Sequence, residues 1–228
     1  EIVLDSNINF FEIKSFDKIE DRNVSIFFEI VSISPKYTNQ INIVGNSRTF
    51  DHVIRRELEI VEGDAIYESQ IETIRDKLIG LNLFKSVNLI KEEVEDNKIN
   101  LIIEVEEKQT GTFNAGVSVG TLDGFAIVTG LRERNFYGTG RSLDILVNTS
   151  DDKNQFKLIT TDRLSYENDA DISYSVNYKQ EDFSTASSYK VDTFSTGIGV
   201  GYELAKNLYH TIDFEYALKD YKITNSST

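Results

Sequence analysis

Histidine is the residue type most often used for acid–base chemistry and metal binding near neutral pH, and this sequence contains two. His52 lies beside a helical pattern and His210 lies within a predicted strand. Neither has a Cys, His or carboxylate companion at metal-ligand spacing, and the chain contains no cysteine. We therefore expect no catalytic residue, no metal, no cofactor and no enzymatic activity.

Two further segments contain residue types that bind ligands in other proteins. The glycine-rich run Gly197–Gly201 continues an alternating strand pattern and does not open a helix, as a phosphate-binding loop would. The acidic turn Glu92–Asp96 lacks the spacing of a calcium loop, and solvated charge explains it. Neither segment predicts a binding site.

The charge of the chain excludes one class of partner. A net charge of −14 and a pI of about 4.6 argue against nucleic acid, because binding phosphate requires clustered Lys and Arg. Residues 1–107 hold 22 acidic and 12 basic side chains, against 16 and 12 in residues 108–228. Of the 25 aromatic residues, 16 fall in the second part, so the architecture changes near Lys108.

The first part predicts a small α+β fold. Residues 8–13 and 24–31 read as strands joined by a polar turn, Asp17–Asn23, and Pro35 marks a module boundary. From Gln40 to Glu107 the order is β-α-α-β-β with a three-stranded sheet. Thr49 and Ser69 are expected to cap the two helices. Their apolar faces comprise Val53, Ile54 and Leu58 in the first helix, and Ile71, Ile74, Leu78 and Leu81 in the second.

After Lys108 the hydrophobic period becomes two and predicts seven antiparallel strands. Each has one apolar face and one face of Ser, Thr, Asn, Gly and charge, as in Asp171–Tyr178. Strand lengths of about 9–11 residues, with Tyr and Phe near the ends, favour a transmembrane β-barrel. A soluble sandwich shows the same alternation, so it remains an alternative. The strands are expected at 112–120, 125–134, 141–149, 155–161, 171–178, 193–202 and 208–218.

Several motifs resemble the last POTRA domain and first barrel strands of BamA-type outer-membrane assembly factors. The resemblance extends over residues 24–150. It rests on Ile41-Asn42-Ile43-Val44-Gly45-Asn46, Arg48-Thr49, Val53-Ile54-Arg55-Arg56-Glu57-Leu58, Glu62-Gly63, Leu81-Asn82-Leu83-Phe84-Lys85-Ser86-Val87, Val105-Glu106-Glu107-Lys108-Gln109-Thr110-Gly111-Thr112-Phe113 and Asn135-Phe136-Tyr137-Gly138-Thr139-Gly140.

The resemblance implies three regions and a location. Residues 1–34 would end a preceding POTRA domain, 35–107 would form the final one, and 108–228 would form the first strands of an outer-membrane barrel. The barrel would lie in the bacterial outer membrane and the POTRA part in the periplasm. Because bacterial barrels close with an even number of strands, from 8 upwards, we expect a fragment of a longer protein.

The resemblance also implies a function, partners and site residues. The family inserts nascent β-barrel proteins into the lipid bilayer, aided by accessory lipoproteins. Arg55 and Glu62 match the surface that docks a partner lipoprotein. A substrate-templating strand at the lateral gate would comprise Gly111, Thr112, Phe113, Asn114, Ala115, Gly116, Val117 and Ser118. An edge strand of the POTRA sheet, able to bind extended peptides, would comprise Ser86, Val87, Asn88, Leu89, Ile90 and Lys91.

Two alternative functions remain open at this stage. One is a two-partner-secretion transporter that exports a single passenger through its barrel. The other is a soluble β-rich adhesin with an α+β appendage. Partition between membrane and aqueous phases distinguishes the assembly factor from the soluble adhesin. Pore conductance distinguishes the assembly factor from the transporter.

Overall fold

The computed structural model describes residues 11–20, 23–32, 35–95, 97–120, 124–164, 170–205 and 208–224. The chain divides into two compact units. The first comprises Glu1–Val44, Ile60–Asp76 and Asn88–Glu104, and the second comprises Gly45–Glu59, Lys77–Val87 and Val105–Thr228. Among the residues described, no helix has the length and apolar character needed to cross a membrane.

An antiparallel hairpin of β1 (Phe11–Glu20) and β2 (Asn23–Ser32) begins the described chain. The polar turn was predicted to run from Asp17 to Asn23. This prediction is too long, because strand pairing continues until Glu20 opposes Asn23. Polar residues such as Asp17 and Lys18 are tolerated in a ladder whose described side chains are exposed, so polarity alone did not mark the turn. Residues 8–10 of the first predicted strand lie outside the described part of the chain.

A second sheet contains β3 (Lys36–Val44), β4 (Ala65–Ile66), β5 (Phe84–Glu95) and β6 (Lys98–Glu107) in the order β4-β3-β6-β5. Strands β3 and β6 run parallel. The three predicted strands are therefore present, and the predicted strand number is corrected from three to four. The additional strand, β4, has two residues, too few to give an alternating pattern in the sequence.

Helices α1 (Asp51–Arg55) and α2 (Glu68–Gly80) are both present, but neither has the predicted cap. Phe50 occupies the N-cap position of α1 and makes no side-chain capping bond. Helix α2 begins at Glu68, which places Ser69 inside its first turn. All of the predicted apolar residues except half-buried Leu81 are buried, but Leu58 follows α1 and Leu81 follows α2; the buried residues are Val53, Ile54, Leu58, Ile71, Ile74 and Leu78.

The second unit contains the predicted seven-stranded antiparallel sheet, whose strands follow one another in chain order. Observed lengths reach 17 residues in β12, beyond the predicted 9–11. A short helix, α3 (Ser184–Ser187), joins β11 to β12. The strands are β7 (Gly111–Gly120), β8 (Gly124–Glu133), β9 (Ser142–Ser150), β10 (Lys153–Leu164), β11 (Ala170–Asp182), β12 (Tyr189–Ala205) and β13 (Leu208–Ile223).

The two faces of this sheet differ as the alternation predicts. Tyr174, Ile198 and Phe214 are register neighbours on three strands, and all three are exposed, Phe214 by 70%. The opposite face, which we call the inner face, presents register neighbours such as Ser175 and Gly197. An exposed apolar face combined with a small, polar inner face is the pattern of a membrane barrel wall. The fold is thus an α+β module followed by antiparallel strands of barrel type.

Candidate functional site

Strand β7 is one edge of the seven-stranded sheet, and the predicted templating residues 111–118 all lie on it. It pairs with β8 from Gly111 opposite Glu133 to Gly120 opposite Gly124. Every residue of β7 is exposed, and no described strand pairs with its other side; the same holds for β13 at the other end of the order. A free edge of this kind presents unpaired N–H and C=O groups that can bind another strand.

Packing does not require glycine at Gly116 in β7. A Cβ atom built there meets no heavy atom within 4 Å, and one at Gly111 meets only the Glu133 side chain, at 3.1 Å. Neither glycine has a positive φ. Glycine weakens a strand because it has no side chain to pack and loses more backbone entropy, so Gly116 loosens this edge.

A buried carboxylate lies at the chain exit that leads to β7. Glu107, the last residue of β6, has a side chain only 6% exposed. Its oxygens accept hydrogen bonds from the backbone N–H of Thr49 at 2.6 Å, from the backbone N–H of Arg48 at 3.0 Å, and from Ser47 Oγ at 2.8 Å. One carboxylate therefore satisfies three donors of the segment that precedes α1.

The Glu107 carboxylate is held in its charged form. Burial alone opposes the charge, but the hydrogen bonds from Thr49, Ser47 and Arg48 outweigh it and lower the pKa to about 2. The bonds are charge-assisted, which makes them stronger than neutral ones. Four residues beyond this anchor, β7 begins at Gly111.

The same segment also contacts the turn between β8 and β9. Asn135 Nδ2 donates to Thr49 Oγ1 at 2.9 Å, and the backbone N–H of Phe50 donates to the Gly138 carbonyl at 2.9 Å. The Asn135 side-chain oxygen in turn accepts from the backbone N–H of Gly140 at 2.8 Å. We call Glu107, Thr49, Asn135 and Gly138 the exit clasp, because they join the exit of β6 to this turn. Thr49 lies one residue before the N-cap position of α1, and its hydroxyl accepts from Asn135.

Close approach at the exit clasp depends on Gly138. Its φ is +75°, and a Cβ atom built there would lie 2.0 Å from the Arg48 carbonyl oxygen. A side chain at this position is therefore excluded both by backbone conformation and by space. The predicted motif Asn135–Gly140 does lie between the second and third strands of the sheet.

An ionic contact lies beside the exit clasp. Asp162 on β10 accepts a hydrogen bond from Arg141 Nε at 2.8 Å, and its other oxygen lies 3.7 Å from an Arg56 guanidinium nitrogen. Arg56 also lies 3.5 Å from the buried carboxylate of Glu57. Like the exit clasp, these groups all belong to the second unit.

The two predicted docking residues each have local partners. Arg55, at the end of α1, donates from Nε to Asp51 Oδ2 at 2.5 Å in an exposed i,i+4 ion pair. Glu62 Oε1 accepts from the backbone N–H of Ile41 at 3.3 Å. Glu62 is exposed, so its carboxylate combines a structural contact with accessibility.

The predicted edge strand 86–91 lies within β5, which is at one end of the order of its sheet. Lys85 and Ser86 both bond the Glu106 carboxylate, at 2.8 and 3.2 Å. Val87 is buried, whereas Asn88 and Ile90 are exposed. The strand therefore has an edge position and an exposed face.

The histidines have no ligand-binding environment. The His52 ring stacks on Phe50 with 5.8 Å between centroids, and His210 Nδ1 lies 3.0 Å from the Tyr202 hydroxyl. Within the described ranges no group of three or more His, Cys, Asp or Glu could hold a metal ion. The glycine run Gly197–Gly201 lies inside β12, in the strand context predicted for it.

Sequence reasoning missed the exit clasp. Glu107 and Asn135 stand within motifs that carry the family resemblance, but no role was assigned to either. The signal available was weak, because a carboxylate at a strand end and an asparagine before a glycine turn are common. Their partner, Thr49, lies 86 positions from Asn135 in the sequence.

Comparisons with known proteins agree with this architecture. The family model described as "Surface antigen variable number repeat", POTRA, matches residues 36–108, and the Omp85 superfamily domain matches residues 135–228. The outer membrane protein assembly factor BamA of Neorickettsia risticii (strain Illinois) is 26% identical over 185 residues, which are 81% of this chain and 25% of the relative. The chain thus spans about a quarter of that curated relative's length.

Two solved structures share the fold. The crystal structure of Haemophilus ducreyi BamA lacking POTRA domains 1–3 has a TM-score of 0.76 at 21% identity, over 100% of this chain and 44% of that one. CdiB from Acinetobacter baumannii has a TM-score of 0.56 at 13% identity, over 96% of this chain and 44% of that one. At these identities the likeness establishes the fold.

The chain therefore contains a POTRA domain followed by an Omp85 superfamily domain. Its sequence and fold resemble BamA-type outer-membrane protein assembly factors, as the motifs predict.

Proposed function

We propose that this chain is part of an outer-membrane assembly factor that folds and inserts nascent β-barrel proteins, with β7 as the templating strand. The observation that carries the proposal is the position of β7, which is an edge strand of its sheet and the first strand after the POTRA match, four residues beyond the buried Glu107 carboxylate. An incoming strand would pair with this edge by β-augmentation, which supplies main-chain hydrogen bonds without requiring a particular sequence. Gly116 has no side chain to pack, so it would weaken pairing along β7 enough for one bound strand to exchange for another.

The location follows from the same similarity. The barrel strands lie in the bacterial outer membrane and the POTRA domain lies in the periplasm. We place the region boundaries at 1–34, 35–107 and 108–228, which the matches at 36–108 and 135–228 support. The substrates are nascent outer-membrane proteins, and the lipid bilayer contacts the exposed apolar face.

Two surfaces of the POTRA domain are proposed for partners. Arg55 and Glu62 would dock an accessory lipoprotein by charge complementarity, which sets orientation and register more than affinity. The edge of β5, at residues 86–91, would bind extended substrate segments in transit. Its exposed Asn88 and Ile90 support a peptide-binding role.

Site-specific photo-crosslinking in living cells tests the templating role. A photoreactive residue replaces Asn114 on the edge strand β7. As the control, it replaces Ser175, which is on the same face but on the interior strand β11. Nascent barrel proteins should crosslink at Asn114 and not at Ser175, and the signal should disappear when translation is stopped and substrates are chased. Equal crosslinking at both positions, or none at Asn114, would contradict templating at β7.

The fold likeness to CdiB favours a second candidate, a two-partner-secretion transporter. Conductance separates the two functions, because export through the barrel requires an open pore. The intact protein in planar bilayers should show a mostly closed barrel if it is an assembly factor. A large, stable conductance that a single passenger protein blocks would support the transporter instead.

A further inference from the structure

The inner face of the sheet beside β7 contains a cavity of about 470 Å³. Its lining includes Thr112 and Asn114 of β7, which the proposed templating strand presents on this face. Gly130, the register neighbour of Asn114, forms part of the floor, and its missing side chain leaves the space open. A Cβ atom built on Gly130 would have its nearest neighbour only at 3.9 Å.

The cavity is basic although the chain is strongly acidic. Arg132, Arg134 and Lys157 line it, against the single carboxylate of Asp144. Arg132 forms an ion pair with Asp144. The side chains of Arg134 and Lys157 form no hydrogen bond or ion pair with any residue in the described ranges, so the cationic groups outnumber the one carboxylate of the cavity. The local net charge is therefore opposite in sign to the −14 of the whole sequence.

The register brings the two arginines of the cavity within reach of a strand added to β7. Thr112 is the direct neighbour of Arg132 on β8. A residue of an incoming strand in the same row would lie about 10 Å, or two strand spacings, from β8. Because the intervening Thr112 is short, the long side chain of Arg132 and a carboxylate of the incoming strand can meet above it. Arg134 lines the same cavity two positions further along the chain and would add to the positive potential at that point, whereas Lys157 lies on β10, three strands from β7.

We propose that this cavity recognises a carboxylate of the substrate strand that pairs with β7. The inference rests on the proposed function and adds a specificity element to it. Main-chain pairing alone accepts any extended strand, whereas a basic pocket beside the edge favours strands that present an acidic group to the inner face. The carboxylate can come from an Asp or Glu side chain or from the chain terminus.

Peptide binding to the intact protein in detergent micelles tests the proposal. Three fluorescent alternating peptides differ only in their acidic group: one has an inward-facing Glu and an amidated C-terminus, one has Gln and a free C-terminus, and one has Gln and an amidated C-terminus. At least one acidic peptide should bind about three- to tenfold more tightly than the neutral peptide, and the difference should shrink in high salt. Which acidic peptide gains identifies the source of the carboxylate.

Matched variants test whether the basic residues of the cavity cause the preference for acidic peptides. Arg132→Gln and Arg134→Gln together should abolish the acidic preference while leaving binding of the neutral peptide unchanged, which also shows that the variant is folded. The control is Lys219→Gln, on the same face of β13, opposite Thr193 in the ladder; it should retain the preference. A preference for acidic peptides that survives in the double variant would show that the cavity does not recognise the carboxylate.

The outcomes separate the two proposals. If all three peptides bind equally to the parent protein, the pocket inference is wrong and templating at β7 stands. If none binds, the proposed edge pairing fails, and the pocket inference fails with it. If the double variant changes thermal stability but not the acidic preference, the cations pair with another segment of the protein, which also overturns the inference.

Discussion

The Glu107 carboxylate accepts a hydrogen bond of 2.6 Å from the backbone N–H of Thr49. This contact ties the exit of β6 to the segment before α1, four residues ahead of the proposed templating strand. Through the Thr49 hydroxyl it continues to Asn135 in the turn between β8 and β9. The position where β7 begins is therefore defined by contacts outside β7 itself.

Glu107→Gln should destabilise the second unit. Glutamine keeps one acceptor oxygen, but it removes the negative charge and turns an NH₂ group toward backbone donors. We expect a loss of about 1–3 kcal/mol in the free energy of unfolding, because charge-assisted bonds at a buried site are replaced by an unfavourable contact. Urea unfolding of the intact protein in micelles measures the change.

The neighbouring residue provides the control for that substitution. Glu106 has a side chain 57% exposed and pairs with Lys85, which has a side chain 70% exposed. Glu106→Gln should leave the free energy of unfolding almost unchanged, since exposed pairs contribute little. If Glu106→Gln and Glu107→Gln lower the free energy of unfolding equally, the buried carboxylate of Glu107 makes no special contribution to stability.

Acid should remove the contribution of Glu107 in a defined range. Its pKa in the folded protein is lowered to about 2 from an ordinary 4.5. A lowered pKa stabilises the fold at pH values above 4.5, and that stabilisation is lost as the pH falls toward 2. The melting-temperature difference between the parent and Glu107→Gln should be constant above about pH 5 and disappear near pH 2. A difference that persists unchanged at pH 2 would contradict the assigned pKa.

Gly138→Ala should be strongly destabilising. The added methyl group would lie 2.0 Å from the Arg48 carbonyl oxygen at a φ of +75°, so the turn must move away from Arg48. The strain at positive φ alone costs about 1 kcal/mol, and lost exit-clasp contacts add to it. Thermal unfolding measures the change. Gly80→Ala is the matched control, because its Cβ atom meets nothing within 4 Å and its φ is not positive, and it should be neutral or slightly stabilising.

Substitutions at Arg55 and Asp51 separate docking from folding. Both Arg55→Gln and Asp51→Asn break the same exposed ion pair, so each should change stability by less than about 0.5 kcal/mol. Only Arg55→Gln removes the cation offered to the lipoprotein. We expect it to reduce co-purification of the lipoprotein several-fold, whereas Asp51→Asn should leave it unchanged. Equal loss in both variants would exclude a docking role for the Arg55 charge.

The docking role of Glu62 is best tested with a conservative substitution. Its carboxylate also accepts from the Ile41 backbone, so Glu62→Gln retains an acceptor oxygen while removing the charge. If docking depends on the Glu62 charge, this variant should bind the lipoprotein more weakly with an unchanged melting temperature. A lowered melting temperature together with intact binding would assign Glu62 a structural role only.

Patterns that repeat along the chain were readable from the sequence. The period-two alternation predicted all seven strands of the large sheet, because each strand separates an exposed apolar face from a small polar one. The spacing of Ile71, Ile74 and Leu78 likewise predicted the buried face of α2. Such signals are local, so a single sequence contains them in full.

Features that depend on a distant partner were not readable. Thr49 has the residue type of a helix cap, but its hydroxyl accepts from Asn135, and only the fold brings these residues together. The two-residue strand β4 exists because β3 pairs with it, not because of its own pattern. The turn at Asp17 was misplaced because cross-strand pairing with β2 overrides local polarity.

The sequence by itself determined the order of the elements and which face of each strand is apolar, since both follow from residue spacing. The tertiary structure alone decided that Glu107 is buried, that Gly138 closely approaches Arg48, and that three cations line one cavity on the inner face. The physical reason is the same in each case. Burial, close approach and summed charge depend on distances between residues far apart in the chain, and those distances are set only when the strands pair.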